Sequence, residues 1–328
     1  MLKETNSAVL VKELKKSFGD VKAVAGVDFE VRSGELFGFL GPNGAGKTTT
    51  INMLTGLARP DRGTVYIGDI DCSKNPRAAQ HLVGVVPDES NLYPELSGFD
   101  NLAFCGALYG MRKSRREARA AELLELFGLN QAGNRKFGGY SKGMKRKLTI
   151  AAGIIHQPRI LFLDEPTTGI DVASARQVRQ LIDDLHKAGT TIFLTTHYIE
   201  EAERLCDRIA FIVSGRIVRI AGVQELLQPI QNRHVLKVFF TGEIDDVKQT
   251  VSSAFSELSF SFPETGVMRV EGDDPVGVGP LIRYLEERSI EVFEARRIRP
   301  SLEEVFVSIT GIEAGFMRSE KEKGGGRG

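Results

Sequence analysis

The sequence predicts an α/β fold followed by a small α+β domain, and three observations support this prediction. A strand–loop–helix pattern spans residues 36–57 around a glycine-rich loop. Two further apolar runs, residues 160–163 and 191–194, lead into acidic or hydroxyl side chains, as buried parallel strands often do. Beyond residue 233 the strand and helix periods follow the order βαββαβ, which is typical of a ferredoxin-like module.

The glycine-rich loop fits the phosphate-binding pattern G-x-x-x-x-G-K-[ST], because residues 41–48 read GPNGAGKT. Its glycines let successive N–H groups face phosphate oxygens, and a helix begins near Lys47. Lys47 is expected to reach the β- and γ-phosphates, and the Thr48 hydroxyl to bind Mg²⁺. We therefore expect ATP and Mg²⁺ as cofactors. The candidate nucleotide-binding residues of this loop are Gly41, Pro42, Asn43, Gly44, Ala45, Gly46, Lys47, Thr48 and Thr49.

Acidic and imidazole side chains follow the two later strands, where doubly wound sheets bind ligands. Asp164 and Glu165 come directly after the first of these runs. Asp164 can hold Mg²⁺, and Glu165 can polarise an attacking water as general base. His197 follows the second run, and its neutral ring can bond the γ-phosphate or that water. These three residues complete a candidate hydrolytic site.

The segment YSKGM, residues 140–144, places Ser141 and Gly143 at the start of a helix, where N–H groups are available for an anion. With this segment the chain resembles the nucleotide-binding subunit of an ATP-binding cassette (ABC) transporter over residues 7–225. The resemblance implies that Ser141 and Gly143 close over ATP held by a second copy of the chain or a homologous cassette. It also implies that Phe18 stacks on adenine and that residues 168–171 join the two active sites.

Two positions depart from the pattern of the family. The family usually has LSGGQ where this chain has YSKGM, although the Ser and the second Gly remain. Where the family places a Gln after the strand at residues 82–86, this chain has Asp88. Ionised Asp only accepts hydrogen bonds, so Asp88 can approach Mg²⁺ but loses a donated bond. The alternative is that Asp88 caps a turn after Pro87 and faces solvent.

Composition agrees with a cytosolic motor subunit. The 328 residues exceed one ordinary domain, and their formal net charge of zero gives no electrostatic reason to expect a nucleic-acid partner. Cys72, Cys105 and Cys206 lack metal-ligand spacing, which favours reduced thiols. No apolar stretch approaches the roughly 18 residues of a membrane span. We therefore expect a cytoplasmic protein that lies on the inner face of the cell membrane and acts on a separate multi-span permease.

The chain is expected to contain a nucleotide-binding domain over residues 7–229, an accessory domain over 230–313 and a disordered tail over 314–328. A linker is expected at residues 228–233. Residues 90–136 form a helical insert, which in the family touches the membrane partner. Its apolar positions can equally be internal core; they are Leu123, Leu124, Leu126, Phe127 and Leu129.

The accessory domain closes with SLEEVFVSITG, and this segment resembles the C-terminal module of ATPases that serve ABC-2 exporters. The leading interpretation is an ATPase that dimerises around two ATP molecules and drives export through a permease. One alternative is a soluble ABC-type ATPase acting on ribosomes or DNA, but the chain has one cassette and no sustained heptads. A second alternative is a P-loop GTPase or kinase, but this alternative leaves the YSKGM segment unexplained. An RNA-binding accessory domain would be expected to carry stacking aromatics in its third strand.

Overall fold

The structure is a computed structural model, and it divides the chain into two compact units. The larger unit comprises the chain up to Val223 together with residues from Ile309, and the smaller unit is Gln224–Ser308. The described residues are 7–231, 234–241, 244–272, 274–298 and 301–312. The predicted tail, residues 314–328, lies outside them.

Among the described residues, ten strands build the larger unit. They are β1 (Ser7–Phe18), β2 (Val21–Arg32), β3 (Leu36–Leu40), β4 (Arg62–Ile67), β5 (Ile70–Asp71), β6 (Val83–Val86), β7 (Ile160–Asp164), β8 (Thr191–Thr196), β9 (Arg208–Val213) and β10 (Arg216–Gly222). The central sheet has the order β10-β9-β3-β8-β7-β6. Its strands run parallel except for β10. Every residue of β3 and β7 is buried, so both faces of the sheet are covered.

A second, antiparallel sheet with the order β2-β1-β4-β5 forms a β-rich subdomain. Its first hairpin turns at Gly19 and Asp20, where the two strands of alternating residues meet. Phe29 of β2 joins this sheet to the central one, because its ring centroid lies 5.6–5.8 Å from those of Phe37, Phe39 and Phe193. The two sheets therefore share one hydrophobic core.

Seven α-helices lie within residues 7–222 of the larger unit, and two of them form the predicted helical insert, namely α3 and α4. The helices are α1 (Lys47–Leu54), α2 (Pro76–Gln80), α3 (Gly98–Leu108), α4 (Lys113–Leu126), α5 (Lys142–Gly153), α6 (Val172–Lys187) and α7 (Ile199–Leu205). Leu123, Leu124, Phe127 and Leu129 are core, whereas Leu126 is 57% exposed. No helix in the described ranges combines the length and apolar character that a bilayer span requires.

The smaller unit is a ferredoxin-like fold, which confirms that part of the predicted fold class. Its strands are β11 (His234–Phe240), β12 (Ser259–Glu264), β13 (Val267–Gly272) and β14 (Val292–Ile298), and its helices include α9 (Ile244–Ala254) and α10 (Val278–Glu286). The antiparallel sheet has the order β12-β13-β11-β14. Leu236, Val238 and Met268 of the sheet share a core with Val251 and Leu281 of the two helices.

At both positions where the chain divides into the two units, the residues are helical. The chain forms α8 (Val223–Gln231) and α11 (Leu302–Thr310) there. The prediction of a linker at residues 228–233 is therefore wrong for residues 228–231. Val223 and Leu226, which lie in the first turn of α8, are buried. Pro229 lacks a backbone N–H, and the helix ends two residues after it.

The division of the chain into independently folding domains remains a prediction, and a truncation tests it. A protein ending at residue 231 keeps α8 complete. We expect it to bind ATP within a few-fold of the full chain, because the loop and strands that bind nucleotide lie before this point. Equilibrium binding of a fluorescent ATP analogue measures this. A soluble truncated protein that no longer binds ATP, or one that does not fold, would show that the boundary is wrong.

Candidate functional site

The glycine-rich loop joins β3 to α1, and close backbone contacts determine its residues. Gly46 has a φ angle of 99°. A Cβ atom there would lie 2.3 Å from the Ala23 carbonyl oxygen, and one at Gly41 would lie 2.1 Å from that of Ile212. Both positions therefore require glycine. The loop ends at the N-terminus of α1, where helical N–H groups attract an anion.

A turn between β9 and β10 supports this loop from one side, and the sequence analysis did not predict it. The Gly215 N–H donates to the Ala45 carbonyl oxygen at 3.0 Å. The Gly215 carbonyl oxygen accepts from the Ala25 N–H at 2.8 Å. The phosphate-binding loop is thus fixed to β2 and to the β9–β10 turn before any ligand binds.

Lys47 occupies the centre of the site, with its side chain 5% exposed. Its ammonium group donates to the carbonyl oxygens of Gly41 at 2.8 Å and Pro42 at 3.1 Å. The Nζ atom also lies 3.2 Å from Glu165 Oε1. The amine is therefore fixed between the loop and the acidic end of β7, where it can bind an anionic oxygen.

Asp164 ends β7 and is buried beside two threonines. Its Oδ1 atom accepts a hydrogen bond of 2.5 Å from the Thr195 hydroxyl, and a second bond comes from Thr48. Burial raises the pKa of Asp164, and these bonds oppose the effect. The structure thus brings the two predicted Mg²⁺ ligands Thr48 and Asp164 together.

Glu165 has a left-handed backbone conformation, with φ at 49°, which is rare for a residue with a side chain. Its N–H donates to the Thr195 carbonyl oxygen at 3.1 Å. The Thr168 hydroxyl donates to its Oε2 atom at 2.9 Å. Burial opposes ionisation of this carboxyl, but the hydrogen bond from His197 and the charge of Lys47 outweigh it. The pKa of Glu165 therefore lies below its usual value.

His197 is buried and lies next to Glu165. Its Nδ1 atom is 2.6 Å from Glu165 Oε2. An ionised carboxylate only accepts hydrogen bonds, so Nδ1 carries the proton in this pair. The pair orients the ring, as the carboxylate does in other acid–imidazole arrangements. Glu165, His197 and Lys47 thus form one buried cluster.

Asp88 follows β6, and its side chain is 33% exposed. Its Oδ1 atom lies 3.6 Å from Arg146 Nη2, which is part of α5. Its charge is close enough to Asp164 to contribute to the raised pKa of that group. Asp88 is therefore near the predicted metal ligands and also near a cation that the sequence analysis did not single out.

Ser141 and Gly143 lie at the start of α5. The Ser141 hydroxyl oxygen accepts the Met144 N–H at 3.2 Å and caps the helix. A Cβ atom at Gly143 would lie 2.1 Å from the Ser174 hydroxyl oxygen. Within the described residues, neither Ser141 nor Gly143 has a hydrogen bond or ion pair to Lys47 or Glu165. This arrangement leaves Ser141 exposed.

Phe18 ends β1 in an exposed position. Its ring is 56% exposed, and Lys16 Nζ lies 5.4 Å from the ring centroid. A flat, accessible aromatic face suits stacking with a purine base. The hairpin that carries Phe18 continues into β2, which contacts the glycine-rich loop through Ala23.

Three residues of this site were not predicted, and they are Thr195, Glu201 and Arg146; Thr168 was expected only as part of the loop at residues 168–171. Thr195 is directly opposite Asp164 in the sheet register. Its position at the end of an apolar strand is a signal that sequence could have supplied. Glu201 is buried on α7 and accepts from the Thr167 hydroxyl at 2.8 Å. Nothing in the spacing of Glu201 separates it from the exposed Glu200 beside it.

The donor set fits Mg²⁺. Thr48 contributes a hydroxyl oxygen, and Asp164 and Asp88 contribute carboxylate oxygens, which are the ligands that Mg²⁺ prefers. Among the described residues, no group of three or more His, Cys, Asp or Glu side chains is arranged to hold a metal. Such a set suits an ion that takes its remaining ligands from nucleotide phosphates and water.

Comparison with known proteins identifies the family. The family model described as ABC transporter matches residues 24–168. The linearmycin resistance ATP-binding protein LnrL of Bacillus subtilis is 33% identical over 302 residues, covering 92% of this chain and 97% of the relative. This chain belongs to the ABC transporter ATP-binding family. It is therefore an ATP-binding ATPase, and the resemblance found in the sequence is confirmed.

Other relatives and solved structures agree with this assignment. The doxorubicin resistance ATP-binding protein DrrA of Mycobacterium tuberculosis is 37% identical over 315 residues, which are 94% of this ABC ATPase and 95% of the relative. The Nod factor export ATP-binding protein I of Burkholderia orbicola is 36% identical over 307 residues, which are 92% and 96%. A dimeric ATP-binding cassette solved with ADP and phosphate has a TM-score of 0.60 at 27% identity, over 66% of this chain and 98% of that one.

Proposed function

We propose that this ABC ATPase dimerises with a second copy or a homologous cassette around two ATP molecules and drives solute export through a separate membrane permease. One observation carries the proposal. The buried cluster of Lys47, Glu165 and His197 is built for hydrolysis, whereas Ser141 lies exposed at the start of α5 with no hydrogen bond to that cluster. Ser141 is therefore available to the nucleotide of a partner subunit, whereas Gly143 is buried and allows Ser174 to lie close to the start of the helix. The dimeric cassette among the similar structures supports this.

Each site residue has a role in this proposal. The loop amides and Lys47 hold the phosphates, Phe18 stacks on adenine, and Thr48, Asp164 and Asp88 hold Mg²⁺. Bound Mg²⁺ neutralises charge that develops on the phosphate oxygens. Glu165 accepts a proton from the attacking water, and its low pKa keeps it ionised near neutral pH. His197 orients Glu165 and contacts the γ-phosphate or the water.

The export role is supported by the names of the relatives, which include an export protein and two drug-resistance proteins. The helical insert offers a surface for a permease. Tyr93 and Phe104 are exposed and pack edge to face with centroids 5.3 Å apart, and Leu108 is exposed one turn later on α3. Exposed aromatic side chains of this kind favour a protein interface. The protein would then lie on the cytoplasmic face of the membrane.

Co-purification tests the proposal. A membrane protein encoded beside this chain should be expressed with it, solubilised and purified by a tag on the permease. We expect the ATPase to be retained and its hydrolysis to increase when the complex is reconstituted in vesicles. Failure to associate, together with ATPase activity that responds instead to ribosomes or DNA, would favour the soluble alternative.

Asp88 gives a prediction that concerns Mg²⁺. A carboxylate that contacts Mg²⁺ directly or through one water favours metal binding. We expect Asp88→Ala to raise the Mg²⁺ concentration needed for half-maximal hydrolysis, and Asp88→Gln to preserve most of the activity. Steady-state ATPase rates measured against Mg²⁺ concentration check this. Unchanged Mg²⁺ dependence and maximal rate in Asp88→Ala would instead mean that Asp88 only caps a turn.

A further inference from the structure

Arg146 joins α5 to the loop that follows β6. Its guanidinium is buried, with the side chain 7% exposed. Nη1 donates to the Pro87 carbonyl oxygen at 2.6 Å, and Nη2 donates to the Asp88 carbonyl oxygen at 2.5 Å. The hydroxyl of Thr149 lies 2.8 Å from that of Ser90. Two residues one turn apart on the helix therefore hold this loop at two points.

The planar guanidinium fixes both the orientation of the loop backbone and its distance from α5. Its two nitrogens bond two successive carbonyl oxygens, which a single ammonium group could not do with the same geometry. The Asp88 side chain extends from the same segment, and its carboxylate lies 3.6 Å from Nη2. The orientation of the Asp88 carboxylate is thus tied to α5 through both backbone and side chain.

The positive charge of Arg146 also offsets the negative charge of nearby acidic side chains. Asp88 and Asp164 place two acidic side chains in one partly buried region. ATP would add phosphate charge to the same region. Without a cation, the Asp88 carboxylate would be repelled from the metal end of the nucleotide. A neutral Gln in place of Asp88 would not need a neighbouring cation.

We propose that Arg146 is a positioning residue that holds the Asp88 carboxylate toward the metal end of the subunit's own nucleotide. The same helix presents Ser141, five residues earlier, to the partner's nucleotide. Movement of the Asp88 loop and movement of Ser141 are therefore linked through α5. This inference rests on the proposed function and extends it with a connection between the two composite sites.

A pair of substitutions tests the charge relation. Arg146→Gln removes the cation but leaves the Asp88 carboxyl group in place, so we expect hydrolysis to fall by at least about tenfold and the required Mg²⁺ concentration to rise. Adding Asp88→Gln removes the uncompensated anion, so the double variant should regain most of that loss. Lys147→Gln, a neutral substitution at the next residue of the same helix, is the matched control and should change neither quantity. A residue needed only for folding would not be rescued by Asp88→Gln.

Nucleotide binding supplies a readout independent of turnover. We expect Arg146→Gln to bind a fluorescent ATP analogue normally in EDTA but several-fold more weakly than wild type with Mg²⁺. If Arg146→Gln melts at a much lower temperature than wild type, Arg146→Lys replaces it. Lys keeps the charge but cannot bond both carbonyl oxygens in the same geometry, so we expect a Mg²⁺ defect smaller than that of Gln but still measurable. The inference is overturned if the double variant is no more active than Arg146→Gln, or if Arg146→Lys shows no Mg²⁺ defect. Failure of Glu165→Gln, which should keep ATP intact, to form ATP-dependent dimers would instead contradict the proposed function.

Discussion

Replacing Glu165 with Gln is expected to abolish nearly all ATP hydrolysis while ATP binding is retained. Glu165 is ionised and held by Lys47, His197 and Thr168. A Gln side chain has the same shape, but its amide cannot accept the proton of the attacking water. Loss of a general base costs about 10²–10⁴ in rate, so we expect at least a hundredfold decrease in turnover. Because the γ-phosphate stays intact, the variant should accumulate as an ATP-bound dimer.

Gel filtration with Mg²⁺ and ATP, together with steady-state hydrolysis assays, measures both effects. Glu200→Gln is the matched control, because Glu200 is an exposed carboxylate on α7, three residues after His197. It should hydrolyse ATP at the wild-type rate and should not accumulate as a dimer. A Glu165→Gln variant that hydrolyses ATP within a few-fold of wild type would remove Glu165 from the role of base.

The sequence predicts best those strands and helices whose hydrophobic residues recur with a clear period or form a fully apolar run. Strands β3 and β7 are buried at every position, so their sequences contain no polar residue until the strand ends. The βαββαβ order of the smaller unit was also predictable from alternation. Strands β9 and β10 were not predicted. Helix α8 was mistaken for a linker because its last four residues, QPIQ, include Pro229 and two Gln residues.

The site shows a similar division between local and tertiary information. Motif spacing located Lys47, Asp164, Glu165 and His197, and the structure brings them together. The positive φ angle of Glu165 could not be predicted, because it depends on hydrogen bonds to Thr195 on a neighbouring strand. Burial of Arg146 depends equally on a distant loop. Its segment reads KGMKRK, and nothing in those letters distinguishes the buried cation from the three partly or fully exposed lysines around it.

A mixture of two inactive variants is expected to recover ATPase activity. Ser141→Arg should fail by itself, because a long cation replaces the exposed hydroxyl that would face the partner's γ-phosphate. Lys47→Ala should fail because it removes the buried ammonium group that binds the phosphates of the subunit's own nucleotide. In a heterodimer, Lys47 of the first variant and Ser141 of the second meet in one composite site. That site has both halves intact, whereas the other site has both halves changed.

The recovery has a predictable size if subunits exchange freely and the sites act independently. Equal mixing makes half of the dimers heterodimers, each with one intact site, so roughly a quarter of the wild-type activity should return. Mixing each variant with itself gives the baseline, and two different affinity tags confirm that heterodimers form. If the changed site slows the intact one, the recovery will be smaller but will still exceed that baseline. Heterodimers that form and show no recovery would mean that Lys47 and Ser141 serve the same subunit's nucleotide, because only then does every site in the mixture contain a damaged half.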